Sequence, residues 1–390
     1  MAALALSGCS LKSSNGGSSS PVGSGVKSDS KQASAELGFP TVATRDTTRV
    51  SGTDAVADAA GVAAALFPST TPLARPGAVA LVDKNDWQAG IAAGVLAGSP
   101  LHAPILLSDG GSVPGATSGV LGQLKPKGEL LAKGAQVILA GDGVPAPGGL
   151  KSGRLHGGDP YSIAASVDNF QTAVTGKPTA DVLVVSGEQP AYAMPAAAWA
   201  ARSGDPVLFV TRTKVPPATQ KAIVQHSKPN IYLLGPTSVI SPAVEKQLGR
   251  LGPVTRIDHD LVHRAVTDPV SNAIAFAQFG SRGFGWAAKQ PGFNYAVANT
   301  NRPLDAVAAA ALGNNGVYAP LLVTDQATKV PRPLENYLLG VQPGFENNDP
   351  SLGVFHHLWI LGNQDALSTA VQARIDQLAQ LVPVDKPPTK

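Results

Sequence analysis

Two sets of cations stand where they could grip an anion. Arg49, Arg154 and Arg256 each open a similar segment: "RVSGTDAVADAAGVAAALF", "RLHGGDPYSIAASVDNF" and "RIDHDLVHRAVTDPVSNAIAF". A guanidinium presents a planar fork of donors that matches phosphate or carboxylate. The second set follows short apolar runs: Arg212 and Lys214 after "PVLFV", Lys329 and Arg332 after "PLLVT". The corresponding place after "PILL" carries Ser108, Asp109 and Ser112 instead. One charge-assisted hydrogen bond contributes about 1.5–3 kcal/mol. Useful affinity therefore needs several such bonds on one repeating ligand.

Other chemistries find weaker footing. His259 and His263 in "DHDLVH" are four apart, which on a helix puts two imidazoles on one face, but no "HExxH" accompanies them. His356 and His357 precede the run "LWIL" and alternate faces there. "GSRGFG" from Gly280 lacks a preceding apolar strand and a phosphate-binding lysine, so it reads as a loop. No "GxSxG" elbow is present, and the single cysteine, Cys9, sits far from any histidine. The expectation is a protein without an active site, bound metal or cofactor.

The elements that must position the cations are written three times over. Strand-like runs "GAVALVDKND", "DVLVVSGEQP" and "NYAVANTNRP" lead into alanine-rich segments "AGIAAGVLAG", "MPAAAWAARSG" and "DAVAAAALGNNG". A proline-led run then recurs as "PILLSDGGSVPGAT", "PVLFVTRTKVPPAT" and "PLLVTDQATKVPRPL", and an aliphatic run ending in glycine closes each copy. Continuous short apolar runs are the pattern of parallel strands buried on both faces, and the alanine-rich segments between them are helices. Asp54 and Asp159 are placed as N-caps. Gly98 and Gly204 are placed as left-handed C-caps, and small residues as points where helix meets sheet. The expectation is an α/β fold of three tandem units, 47–150, 151–252 and 253–382, each a parallel sheet flanked by helices. The joints at Gly149–Arg154 and Gly252–Arg256 leave almost no linker, so the units should pack together.

At 390 residues and 43% apolar, the chain can bury a sizeable core. Its net charge of +3 gives no basic field of the kind nucleic-acid binding needs, and no apolar run reaches the roughly 18 residues of a membrane span. Residues 10–46 are rich in serine and glycine and read as a flexible linker, with 383–390 as a tail.

Two resemblances add to this reading. "LSGC" at Cys9 resembles the lipobox of bacterial lipoproteins, which implies lipidation of Cys9 and anchoring on the outer face of the cell membrane. Residues 1–9 then read as a truncated signal remnant. The threefold order of motifs, above all Pro-x-Leu-Leu followed by Val-Pro, and the aliphatic-Leu-Gly run, resembles the cell wall-binding repeat type 2 family of Gram-positive bacteria. That resemblance implies three units about a pseudo-threefold axis and noncovalent attachment to an anionic wall polymer, such as a teichoic-type or other phosphate-containing glycan. The chain departs from the family at several places. Only the third unit keeps the acid of an Asp-Ala-Leu motif, as Asp305, where Ala89 and Ala193 stand in the others. Of an Arg-Tyr pair only Tyr161 and Arg264 remain. Alternative readings are a solute-binding lipoprotein of a transporter, which should show two hinged lobes, and a noncatalytic partner of a wall enzyme.

Overall fold

Runs of valine, leucine and isoleucine bounded by proline and glycine become the strands, and the alanine-rich stretches become the helices, of a repeated α/β structure. The computed structural model describes residues 26–27, 41–346 and 349–384. Cys9 and its expected lipid lie outside these residues, as do most of 10–40 and 385–390. The chain opens with β1 (Thr41–Ala43), β2 (Thr47–Val50) and α1 (Ala55–Leu66). Next come β3 (Val79–Asp83), α2 (Trp87–Ala93), β4 (Ile105–Ser108), α3 (Gly115–Leu124) and β5 (Val137–Ala140). The second copy runs β6 (Ser152–Leu155), α4 (Pro160–Thr175), β7 (Asp181–Ser186), α5 (Pro190–Ser203), β8 (Val207–Val210), α6 (Pro217–Gln225), β9 (Asn230–Leu234) and α7 (Pro242–Leu248). The third runs β10 (Val254–Ile257), α8 (Pro269–Gln278), β11 (Asn294–Asn299), α9 (Asp305–Ala310), β12 (Leu321–Thr324), α10 (Arg332–Gly340), β13 (His357–Leu361) and α11 (Thr369–Ala379).

The strands form two parallel four-stranded sheets in the orders β4–β3–β5–β6 and β8–β7–β9–β10, and a six-stranded sheet whose parallel part runs β12–β11–β13–β2 and which β1 and Val26–Lys27 extend antiparallel. The Arg-led strand that opens each sequence copy thus belongs to the sheet of the copy before it. β6 pairs with β5, and β10 with β9. β2, from the start of the chain, pairs with β13 near its end, Thr47 opposite Leu358 and Val50 opposite Leu361. The three copies therefore close into a ring. Composition places Thr41–Ala43 in the linker, but its β-branched residues form β1, antiparallel to β2.

Alanine serves a different contact from the one expected. The equivalent helices α2, α5 and α9 pack on one another in all three pairings, as a threefold arrangement requires, so the small residues let helix meet helix. A Cβ on Gly94 would stand 2.7 Å from the Ala197 carbonyl, and one on Gly98 or Gly313 would overlap the carbonyls of Ala201 or Ala198. Gly98 is accordingly extended, with φ −92°, and is held by this approach and not as a left-handed cap. Gly204 does adopt the left-handed conformation, at φ 82°.

The repeated proline sentence also has a local cause. The strand it encodes is wholly buried in each copy, and its Val-Pro starts the next helix with proline as N-cap. One turn on, Thr117 and Thr219 donate from Oγ1 back to the strand carbonyls of Leu107 and Phe209, both at 2.6 Å. This staple fixes the loop between strand and helix. In the third copy Leu334 takes the threonine's place and is buried.

Candidate functional site

The three opening arginines share one structural task. Arg49 Nη1 donates to the carbonyl of Gly362 at 2.8 Å, Arg154 Nη1 to that of Gly141 at 2.5 Å, and Arg256 Nη1 to that of Gly235 at 2.7 Å. Each glycine ends the neighbouring strand with positive φ, 93°, 120° and 124° respectively, a turn that favours glycine and aims its carbonyl sideways at the arginine. Arg49 is 2% exposed and also donates to Gln372 Oε1 at 2.8 Å and the Asn363 carbonyl at 3.0 Å. Burial lowers its pKa to about 10, which leaves it charged at neutral pH. Arg256 pairs with Glu245 at 2.7 Å. The donors of Arg49 and Arg256 are therefore committed to the protein, and only half-buried Arg154 keeps a partly open guanidinium.

The second set of cations is placed differently. Arg212 and Lys214 follow the carboxyl end of β8, and Lys329 and Arg332 follow that of β12; all four are exposed. In parallel α/β sheets ligands gather at this end of the strands. None of the four forms an ion pair among the described residues, although Arg212 Nε donates to the Ser238 carbonyl at 3.0 Å. Arg332 lines a cleft of about 530 Å³ with Arg264, Thr267, Asp268 and Ser271. Arg264 is held by Asp260 at 2.8 Å. At the equivalent end of the first copy, Lys84 is paired with Asp109 at 2.8 Å. The adjacent crevice of about 290 Å³ there is lined by Asp83, Asp86, Asp142 and Asp159. The strand ends of the first copy are lined by carboxylates, and those of the other two carry four cations whose side chains form no ion pair among the described residues.

Where α1 packs against α9, at the closing seam, lies a cluster that sequence reading missed. Arg302 donates to Asp58 at 2.5 Å and to Asp305 at 2.7 Å, and both carboxylates are fully buried. Burial, then the charge of Asp305, pushes Asp58 up to about 8 against the opposing pull of Arg302, and burial raises Asp305 as well. The first and second copies carry Asp86 and Gln189 in the place of Arg302. The signal was present as an Arg-x-x-Asp found in one copy only.

The histidines do not assemble a centre. His259 and His263 fall in a loop, not on a helix, and His263 has φ 59°. His259 Nδ1 contacts Asp258 at 2.6 Å. His356 is buried beside Tyr295, and His357 contacts Thr48 at 2.9 Å. His226, which the sequence did not single out, is sealed between Asp168 and the Thr179 carbonyl, both at 2.9 Å. Among the described residues no cluster of three His, Cys, Asp or Glu side chains is placed to hold a metal ion. No described helix is long and apolar enough to cross a membrane.

Residues 154–245, from the arginine of β6 through most of α7, match the family model of cell wall binding domain 2 (CWB2). The second copy is thus similar to CWB2 domains. The fold is similar to two solved proteins of Clostridium difficile. Against Cwp8 the TM-score is 0.62 at 18% identity, covering 86% of this chain and 52% of Cwp8. Against Cwp6 it is 0.65 at 18% identity, covering 87% of this chain and 48% of Cwp6. The chain thus spans about half the length of either. No curated protein matches it. Its three sheets in a ring differ from the two hinged lobes of a transporter's binding protein.

Proposed function

We propose that this protein, whose second copy matches the CWB2 domain, attaches noncovalently to an anionic cell-wall polymer at the cell surface, and that the strand-end cations of its second and third copies make the contact. The observation that carries this reading is the placement of Arg212, Lys214, Lys329 and Arg332: exposed, outside the carboxyl ends of parallel strands, and with no side-chain ion pair among the described residues, although the Arg212 amide donates to Glu188. A teichoic-type or other phosphate-containing glycan supplies the repeated charge that several weak contacts need. The "LSGC" segment supports a lipid on Cys9, with the wall contact made beyond the membrane's outer face. The reading is one of attachment, without a chemical step.

The test is sedimentation of the full-length protein with isolated walls. Binding should fall with added salt and after removal of phosphate-containing glycans. Lys214→Glu with Arg332→Glu should weaken it at least tenfold with the melting temperature unchanged, whereas Arg49→Ala should lower stability and leave the folded fraction binding normally. Full retention by the double charge reversal would refute the proposed contact. Fractionation of cells exporting Cys9→Ala reports on the anchor: the variant should leave the membrane for the medium.

A further inference from the structure

A second cleft lies at the opposite pole, where strands begin. It has a volume of about 640 Å³, within the range of ligand pockets, and sits on the seam between the second and third copies. Asp181 and Asn294 start β7 and β11 there, and residues 202–205 and 316–318 lead into β8 and β12. One wall has no counterpart in the second copy, where 176–180 alone join helix to strand. In the third copy residues 279–293 loop back between α8 and β11. Phe284 stacks on Tyr232, with centroids 3.5 Å apart and planes 4° from parallel, and it packs against Trp199 at 4.8 Å. Trp286 meets the same Trp199 at 5.4 Å. In a chain only 5% aromatic, this concentration of rings is specific to one seam.

The side chains reaching the cleft are of two kinds. Tyr318, 47% exposed, and half-buried Phe293 offer ring surface. Asp205 is 7% exposed, and its Oδ2 accepts from the Trp199 indole N–H at 3.1 Å. Arg202 lies over Tyr318, 4.9 Å from its centroid. Tyr318 has φ 55°, uncommon for a bulky residue. The position two before the strand proline is left-handed in all three copies: His102 at φ 47°, Gly204 at φ 82° and Tyr318. The fold asks for glycine there, as the second copy supplies. The third copy instead holds a tyrosine, against the backbone preference of a bulky side chain, and that tyrosine lines the cleft.

We propose that this cleft binds one pyranose unit of a glycan, the sugar's apolar face laid on Tyr318 and Phe293 and its hydroxyls met by the Asp205 carboxylate and the Arg202 guanidinium. Aromatic faces beside a carboxylate and a guanidinium suit a ring with one apolar face and a rim of hydroxyls, each able to donate and accept. Burial pushes Asp205 up to about 6, so it stays an acceptor at neutral pH. The proposal rests on the wall-binding reading only for the origin of the glycan, since the strand-end cations lie at the other pole.

The experiment is titration of the full-length protein with cellobiose and with chitobiose, followed by tryptophan fluorescence and the indole N–H resonances of Trp199 and Trp286. A saturable response to at least one disaccharide is expected. Tyr318→Gly, which places in the third copy the residue of the second, should weaken it at least tenfold while the melting temperature holds or rises. Phe293→Ala provides an independent variant, and the Lys214→Glu, Arg332→Glu protein should bind the disaccharide normally even as it loses walls. The proposal is overturned if neither disaccharide gives a saturable response, if choline chloride alone does, or if both cleft variants titrate like the wild type.

Discussion

Two buried histidines show how one residue type takes opposite electrical roles. Both ring nitrogens of His226 face acceptors, the Asp168 carboxylate and the Thr179 carbonyl, so the ring donates from both and is an imidazolium. Burial opposes that charge, but the Asp168 hydrogen bond and charge prevail and the pKa is raised. Its contribution is complete below the ordinary value near 6.5 and is lost as pH rises through the raised value. His356 has no hydrogen-bond partner on either nitrogen among the described residues, and burial pushes it down to about 4. It folds neutral, so stability is complete above about 6.5 and falls by about 3 kcal/mol as pH drops to about 4. His226→Asn should therefore lower the melting temperature more at pH 6 than at pH 9, and His356→Phe should raise it more at pH 4.5 than at pH 8. Melting curves across that range check both signs. Neither role was legible in sequence, because each depends on residues more than 40 positions away. The aspartate N-caps were legible, since Asp54 and Asp159 accept from amides two or three residues on.

At the scale of elements, what repeats was readable and what joins the repeats was not. Buried apolar runs announced the strands and alanine announced the helices, because burial on both faces and helix propensity are written locally. The Arg-led segment and the aliphatic-Gly segment were both visible as motifs. That they touch was hidden, because the contact crosses from one sheet strand to the next and no local pattern names a strand's neighbour. The closing seam carries the largest charge burden. Arg302→Met would leave Asp58 and Asp305 facing each other without their cation between α1 and α9, a loss of about 3–5 kcal/mol. Because Asp58 is pushed up to about 8, its folded form retains a proton that the unfolded chain releases near 4, so stability already declines between those values. The Arg302→Met deficit should deepen from pH 5 to pH 8 in urea unfolding, and adding Asp58→Asn and Asp305→Asn should recover most of it. A deficit independent of pH would show that packing, not charge, matters there.

The molecule as a whole is held by residues 44–49, at the start of the ring. Thr44 Oγ1 and the Asp46 amide donate to Asp376 at 2.5 and 2.7 Å, and Gln372 of α11 receives Arg49 while donating to Thr47 at 3.0 Å. Deleting Thr41–Val50 removes β2 from β13 and these anchors from α11 together. Hydrogen exchange should show β13 and α11 losing protection first, with a lower melting temperature for the whole chain, and a peptide of residues 41–54 should restore both. If protection is lost only in α1, the ring is not closed by this strand. Three-unit α/β architecture followed from the repetition in the sequence, but the offset by one strand did not, since copies cut at any phase look equally alike.

That offset sets a timetable. Arg49 and the Gly362 carbonyl it clasps are 313 residues apart. At biosynthetic speeds of about 5–20 residues per second, β2 waits roughly 15–60 s for its place to exist. Through that interval the side of β2 that will meet β13 is unpaired, and its sequence, Thr-Thr-Arg-Val, carries a cation and two hydroxyls instead of an aliphatic run. Such an edge discourages wrong partners while the rest of the ring is being made, so the same arginine that locks the finished protein guards the unfinished one.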